Sequence, residues 1–218
     1  MTNIEYSHIP TDKPLLDKIK SSIGNYISGK RLEHTFSVEK EAVSIAGFMF
    51  PYLGIDDKYI SDIRAAALLH DITKQYSMQE HKTVCSDYSL PYVCNDAVIH
   101  SRTGAYIAKR DFGINEIVFG AIFNHTTGKS DMNIFEKIIF TADFIEKTRS
   151  HSSCISARNY FYENIESKNK LYVLNKTILI SIDATMHYLL EKESVIDLET
   201  VSARNSIISE LSSISEVF

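Results

Sequence analysis

At 218 residues with 44% hydrophobic content, the chain is long enough to bury one sizeable core, and length favours one domain over two. No run approaches the roughly 18 to 20 apolar residues of a membrane span, and the first ten residues carry Glu5 and His8 where a secretory leader is basic and then apolar; a cytoplasmic protein with no membrane partner is expected. The formal charge of −5 argues against nucleic acid, and the scattered cysteines Cys85, Cys94 and Cys154 suggest neither a zinc knuckle nor a disulfide framework.

Glycine and proline are sparse, and apolar residues recur at helical spacing, so the reading is all-α. Leu15, Ile19, Ile23, Tyr26 and Ile27 make a first apolar face. A second helix is expected from about Arg31 to Phe50, ending at Pro51, because proline cannot continue the hydrogen-bond ladder; Pro51 to Asp57 is then a connection. Ile60 to Leu69 is rich in alanine and leucine, with Asp56 or Asp57 as N-cap. Further helices are expected over about Met78–Ser86, Cys94–Arg110, Asn115–Phe123 and Asn133–Lys147. A polar stretch, His151-Ser152-Ser153, leads into a helical tail with Ile178, Ile182, Met186, Leu189 and Leu190 as its stripe. Val173 to Ile182 is rich in β-branched residues, but no hairpin turn accompanies it, so it too is read as helix.

The adjacent pair His70-Asp71, at an expected helix end, is the most informative feature for chemistry. It sets an imidazole beside a carboxylate where both can meet one divalent cation. His34 lies early in the second helix. Asp143 interrupts an apolar helix face, and an interior carboxylate needs a metal or a hydrogen-bonded cation as partner. Two histidines and two aspartates suit iron, manganese, zinc or cobalt in an open site that keeps room for water.

The order His, His-Asp, Asp across helices is the pattern of the HD superfamily. More specifically the chain resembles the YqeK family of symmetrical dinucleoside-tetraphosphatases, in Arg31-Leu32-Glu33-His34-Thr35, Ala67-Leu68-Leu69-His70-Asp71-Ile72-Thr73-Lys74, Asn124-His125-Thr126-Thr127-Gly128 and the segment Glu136 to Glu146 around Asp143. The likeness extends to Tyr188-Leu189-Leu190 and Thr200 to Asn205. Lys147 and Ser101-Arg102-Thr103 depart from the family pattern.

The resemblance implies an HD-domain helical bundle over residues 1–218, with a metal-binding core at about 28–150 and a helical C-terminal part. It implies hydrolysis of diadenosine tetraphosphate to two ADP, using a divalent metal held by His34, His70, Asp71 and Asp143; the family's metal is iron, with manganese or cobalt as substitutes. Asp71 is also implied to orient water. His100 and His125 are implied to contact phosphates, either one acting as general acid toward the departing ADP. Arg31, Asp71, Ile72, Thr73, Lys74, Thr126, Asp143 and Arg149 complete the implied substrate contacts. The family reading leaves room for a homodimer. Two alternatives stay open: an HD phosphohydrolase of another nucleotide or phosphoester, and a nucleotide sensor without turnover. His8, His81, His151 and His187 are given no function, Arg102 and Lys129 are read as solvated, and Tyr160, Phe161, Tyr162 and Tyr172 as helix packing.

Overall fold

A computed structural model describes residues 6–91, 96–166 and 169–215. Among them are ten α-helices and two short 3-10 turns, with no strand. The helices are α1 (Lys13–Ser22), α2 (Gly29–Leu53), α3 (Ile60–Leu69), α4 (Met78–Asp87), α5 (Asp96–Phe112), α6 (Glu116–Asn124), α7 (Ile134–Ile145), α8 (Ser152–Asn164), α9 (Lys170–Glu191) and α10 (Leu198–Ser215). The all-α expectation therefore holds, including for Val173 to Ile182, which lies within α9. Cys94, where the fifth expected helix begins, falls outside the described residues.

Helix starts follow side-chain chemistry. Asp12 accepts from the Leu15 amide, Ser77 and Glu80 form a capping box on α4, Asn115 accepts from Val118, and Asn133 with Glu136 forms a second capping box on α7. Asp56 is indeed a cap, but of the 3-10 turn Asp57–Tyr59 that leads into α3. The expected stop at Pro51 is corrected: α2 runs through it to Leu53. In the last turn the proline forfeits only the bond to Gly47, whose exposed backbone water can satisfy. The stop is Gly54, left-handed at φ 69°, where the amides of Gly54 and Ile55 both return to the Phe50 carbonyl.

Two helices are buried nearly all round and form the axis of the bundle. In α3, Ile63 and the run Ala65 to Leu69 are interior, and the alanines let neighbouring backbones approach closely. In α7 every residue from Ile134 to Ala142 is buried. Helix α2 lies against both, α6 bridges them, α5 covers α6, and α9 packs on α7 and carries α8 and α10. One continuous apolar cluster runs from Ile19 to Leu211, and the C-terminal ends of both axial helices emerge on the same side, at His70-Asp71 and Asp143. Phe161 is fully buried within α8 and Tyr160 and Tyr172 pack against the core, as read, whereas Tyr162 is exposed and its hydroxyl donates to Glu41.

A buried carboxylate ties the N-terminal segment to this axis. Asp62 on α3, 0% exposed, accepts from the Thr11 amide at 2.8 Å and hydroxyl at 2.7 Å, from Asn115 Nδ2 at 2.9 Å, and lies 2.8 Å from His8 Nε2. Asp62→Ala would strand the Thr11 amide and the Asn115 donor, and we expect it to lower unfolding free energy by about 2–4 kcal/mol. Urea denaturation followed by circular dichroism checks this; an unchanged midpoint would show that the segment is not anchored there.

Candidate metal centre

The site is assembled from helix ends. His70 and His125 directly follow α3 and α6, and each turns its ring back onto its own helix: His70 Nδ1 lies 2.7 Å from the Ala67 carbonyl and His125 Nδ1 2.7 Å from the Ile122 carbonyl. A carbonyl only accepts, so Nδ1 carries the proton in both rings and Nε2 is left as a lone pair. His34 comes from the second turn of α2, His100 from the second turn of α5 and Asp143 from the last turn of α7. Asp71 follows His70 in a tight turn closed by the Lys74 amide on the Asp71 carbonyl at 2.8 Å.

These side chains converge. His34 Nε2 is 3.0 Å from Asp143 Oδ1 and 3.7 Å from Asp71 Oδ2, while His70 Nε2 is 3.4 Å from Asp71 Oδ2 and 3.8 Å from Asp143 Oδ1. Beside them, His100 Nε2 is 3.2 Å from Asp71 Oδ1 and 3.1 Å from His125 Nε2. Thr126 Oγ1 lies 3.3 Å from His100 Nε2 and 3.1 Å from His125 Nε2.

The donor set fits a divalent cation. His34 Nε2 and His70 Nε2 are buried without any hydrogen-bond partner, the arrangement expected of lone pairs kept for a metal. Metal–ligand bonds of roughly 2.0–2.2 Å place neighbouring ligand atoms about 3–3.5 Å apart, close to the spacings found. Two overlapping donor groups meet at Asp71: His34, His70 and Asp71 on one side, Asp71, His100 and His125 on the other.

The electrostatics point the same way. Burial opposes charge on His34, but the neighbouring carboxylates of Asp143 and Glu146 outweigh it and lift the imidazole to about 9; the field at that spot draws positive charge. Burial likewise opposes ionisation of Asp71, yet His70 and His100 hold its carboxyl well below the usual range. Asp143 is held down, against burial, by Arg149, His34 and His70. Burial, reinforced by His100 and His70, presses His125 down to about 3, so it is neutral. His100 is also pushed down, chiefly by burial.

The cluster floors a cleft of about 200 Å³. Arg31, Asp71, Lys74, His100, His125, Thr126, Asp143 and Arg149 line it, so most of the residues singled out by sequence are brought together. Arg31 pairs with Asp71 Oδ2 at 2.6 Å and Arg149 with Asp143 Oδ1 at 2.6 Å, while Lys74 Nζ donates to His100 Nδ1 at 3.1 Å. Ile72 and Thr73 are not brought to the cleft by their side chains: both are fully buried, and the Thr73 hydroxyl donates to the His100 carbonyl at 2.8 Å. A larger depression of about 500 Å³ against α10, lined by serines, Asp131 and Glu210, offers no histidine.

The HD domain family matches residues 31–148, more than half of the chain. This chain belongs to the HD domain family. It is 30% identical over 190 residues to the symmetrical bis(5'-nucleosyl)-tetraphosphatase of Halalkalibacterium halodurans, covering 85% of this chain and 92% of that one. With the enzyme of the same name from Bacillus subtilis it shares 28% over 185 residues, 82% and 90% of the two chains. The crystal structure of a predicted HD superfamily hydrolase involved in NAD metabolism, from Clostridium acetobutylicum, superposes with a TM-score of 0.76 at 30% identity, covering 89% of this chain and 97% of that one.

This HD domain also uses residues that sequence reasoning missed. Glu146 is fully buried and hydrogen bonds to His34 Nδ1 at 3.0 Å; an acid three positions after Asp143, at the end of an apolar helix, was the available signal. Ala97, Phe140, Phe144 and Thr185 line the cleft as well, Thr185 from the distant α9. His81, given no function, is a buried residue whose Nδ1 lies 2.8 Å from Thr103 Oγ1, which in turn sits 3.1 Å from Thr73 Oγ1.

The loop after His125-Thr126 turns at Gly128, left-handed at φ +67°, where a Cβ would meet Ala203 of α10 at 2.9 Å. Gly128→Ala therefore combines backbone strain with a clash, and we expect a loss of about 1–3 kcal/mol. A thermal unfolding midpoint equal to that of the unmodified protein would count against this tight coupling of loop and C-terminal helix.

Proposed function

We propose that the chain hydrolyses diadenosine tetraphosphate to two ADP, with a divalent cation held by His34, His70, Asp71 and Asp143. The observation that carries this reading is the pair of buried, unpartnered imidazole nitrogens facing two ionised carboxylates, in a cleft also lined by Arg31, Lys74 and Arg149. The names of the relatives, symmetrical bis(5'-nucleosyl)-tetraphosphatases, support the substrate. We read residues 1–218 as one functional unit and iron as the natural metal, following the family.

In this reaction the oxygen of water attacks one of the two inner phosphorus atoms, and the central bridging oxygen leaves with the other ADP. When bound, the cation supplies Lewis acidity toward a phosphoryl oxygen and toward water. Asp71 Oδ1 lies 3.2 Å from His100 Nε2 and 3.8 Å from His125 Nε2, and as Asp71 is one of the residues lining the cleft it can accept a hydrogen bond from water and orient it. Arg31 and Arg149 offer planar forks to phosphate oxygens, and Lys74 offers a compact charge. Their pairing with the carboxylates keeps them in place before substrate arrives.

The two candidate acids differ in proton supply. His100 receives a hydrogen bond at Nδ1 from the Lys74 ammonium at 3.1 Å, which gives it a route by which a proton can be replaced. His125 has its only proton on Nδ1, turned to the Ile122 carbonyl. We therefore assign proton delivery to the departing ADP to His100, and to His125 contact with the phosphate chain through its neighbour Thr126.

Anaerobically purified protein incubated with diadenosine tetraphosphate and Fe(II) or Mn(II) should give two ADP and neither ATP nor AMP by ion-exchange chromatography. Asp71→Ala should lower turnover by at least about 10²-fold, the scale of losing one catalytic electrostatic contact. Bound metal with untouched substrate would instead direct the search to other phosphoesters or to a sensor. Arg149→Ala and Lys74→Ala should each cost roughly 10- to 150-fold in kcat/KM, the range for one charged hydrogen bond; steady-state kinetics giving unmodified values would remove that residue from the phosphate site.

A further inference from the structure

Three histidines of the cluster orient their rings through Nδ1, but not on the same kind of partner. His70 and His125 donate to neutral backbone carbonyls of their own helices. His34 instead donates to a carboxylate, Glu146 Oε1, at 3.0 Å across a sequence separation of 112. Glu146 is 0% exposed. Its carboxylate also accepts from the Thr148 hydroxyl and the Thr148 amide, each at 2.6 Å. Three donors on one buried carboxylate fix its position.

The segment that carries Glu146 is itself held. The Arg158 guanidinium on α8 donates to the carbonyls of Ile145, Glu146 and Arg149, so the turn after α7 cannot rotate without breaking three bonds. With Nδ1 committed to Glu146, His34 presents Nε2, and that atom has no hydrogen-bond partner of its own.

We propose that Glu146 is a positioning residue of the metal centre: it fixes the tautomer and rotation of His34 and, through its charge, strengthens His34 as a ligand. The inference rests on the metal-site reading given above. A carboxylate behind a ligating imidazole raises the basicity of the metal-facing nitrogen, and loss of such a partner typically weakens metal binding by about 10- to 100-fold. A carboxylate that merely stapled α2 to the end of α7 would act on folding alone.

The two roles separate in Glu146→Gln, which keeps the length and an acceptor for His34 but removes the charge. Co(II) is the probe, titrated in competition with a chelator and followed by visible absorption, alongside thermal unfolding of the metal-free proteins. Glu146→Gln should bind Co(II) roughly 10- to 100-fold more weakly, with an altered visible spectrum, in a metal-free protein that still unfolds cooperatively, its midpoint recording separately the loss of the Thr148 amide contact. Unmodified protein that binds Co(II), His34→Ala that does not, and Glu146→Gln that matches the unmodified protein in affinity and spectrum would overturn the role of Glu146 alone. No Co(II) binding by the unmodified protein, or full binding by His34→Ala, would overturn the metal site itself. Should Glu146→Gln not fold, Glu146→Asp, which keeps the charge but draws it back by one methylene, is read instead: weaker binding at unaltered metal-free stability sustains the inference, and unaltered binding overturns it.

Discussion

Negative charge gathered in the interior is the constraint on which this structure turns. Asp71, Asp143 and Glu146 are all held ionised at the junction of α2, α3 and α7, each against the cost of burial. Carboxylates so close together in a medium of low polarisability repel one another strongly. Without a cation the protein answers with guanidinium groups at the rim, Arg31 on Asp71 and Arg149 on Asp143, and with a proton on His34. A divalent ion held by His34, His70, Asp71 and Asp143 would relieve that repulsion by bringing positive charge to the carboxylates themselves, in place of the His34 proton. The guanidinium groups would then be available to an anionic substrate.

The helices serve this arrangement beyond carrying the ligands. α3 and α6 both end at the cleft, so the negative ends of their dipoles add to the field that draws a cation. Near these ends, where carbonyls run short of amide partners, the Ala67 and Ile122 carbonyls accept Nδ1–H from His70 and His125, the Ile122 carbonyl taking the His125 amide as well. One device thus satisfies a backbone acceptor and fixes which nitrogen faces inward. It needs a histidine at the last position of the helix, and the close packing of the alanine-rich α3 against α2 and α7 brings that position to His34 and Asp143.

Sequence legibility followed the range of the interactions. Asn115, Asn133 and Ser77 each cap a helix within three residues, so helix starts could be read locally. The dipeptide His70-Asp71 was legible for the same reason. Pro51 misled because its cost depends on how many turns follow it, and Gly54, the actual stop, lay only three residues on. Glu146 was not legible as a site residue, because its meaning depends on His34, 112 positions away. Nor was Thr185, which reaches the cleft through the packing of α9 on α7. Ile72 and Thr73 show the converse: the family resemblance implied substrate contact, but the turn after α3 points both side chains into the interior.

The distribution of cations resolves how a chain of net charge −5 can take a polyanion. Arg31, Lys74 and Arg149 come from α2, the turn after α3 and the turn after α7, and converge on one cleft. Lys74 is half-buried, and burial lowers its pKa although Asp71 and Asp143 pull the other way; it is a charge whose hydration is already reduced. Such a group gains more from a phosphate than a solvated lysine does, since the phosphate replaces water that the lysine has already lost. Selectivity for the cleft thus arises from this local convergence of cations rather than from overall charge.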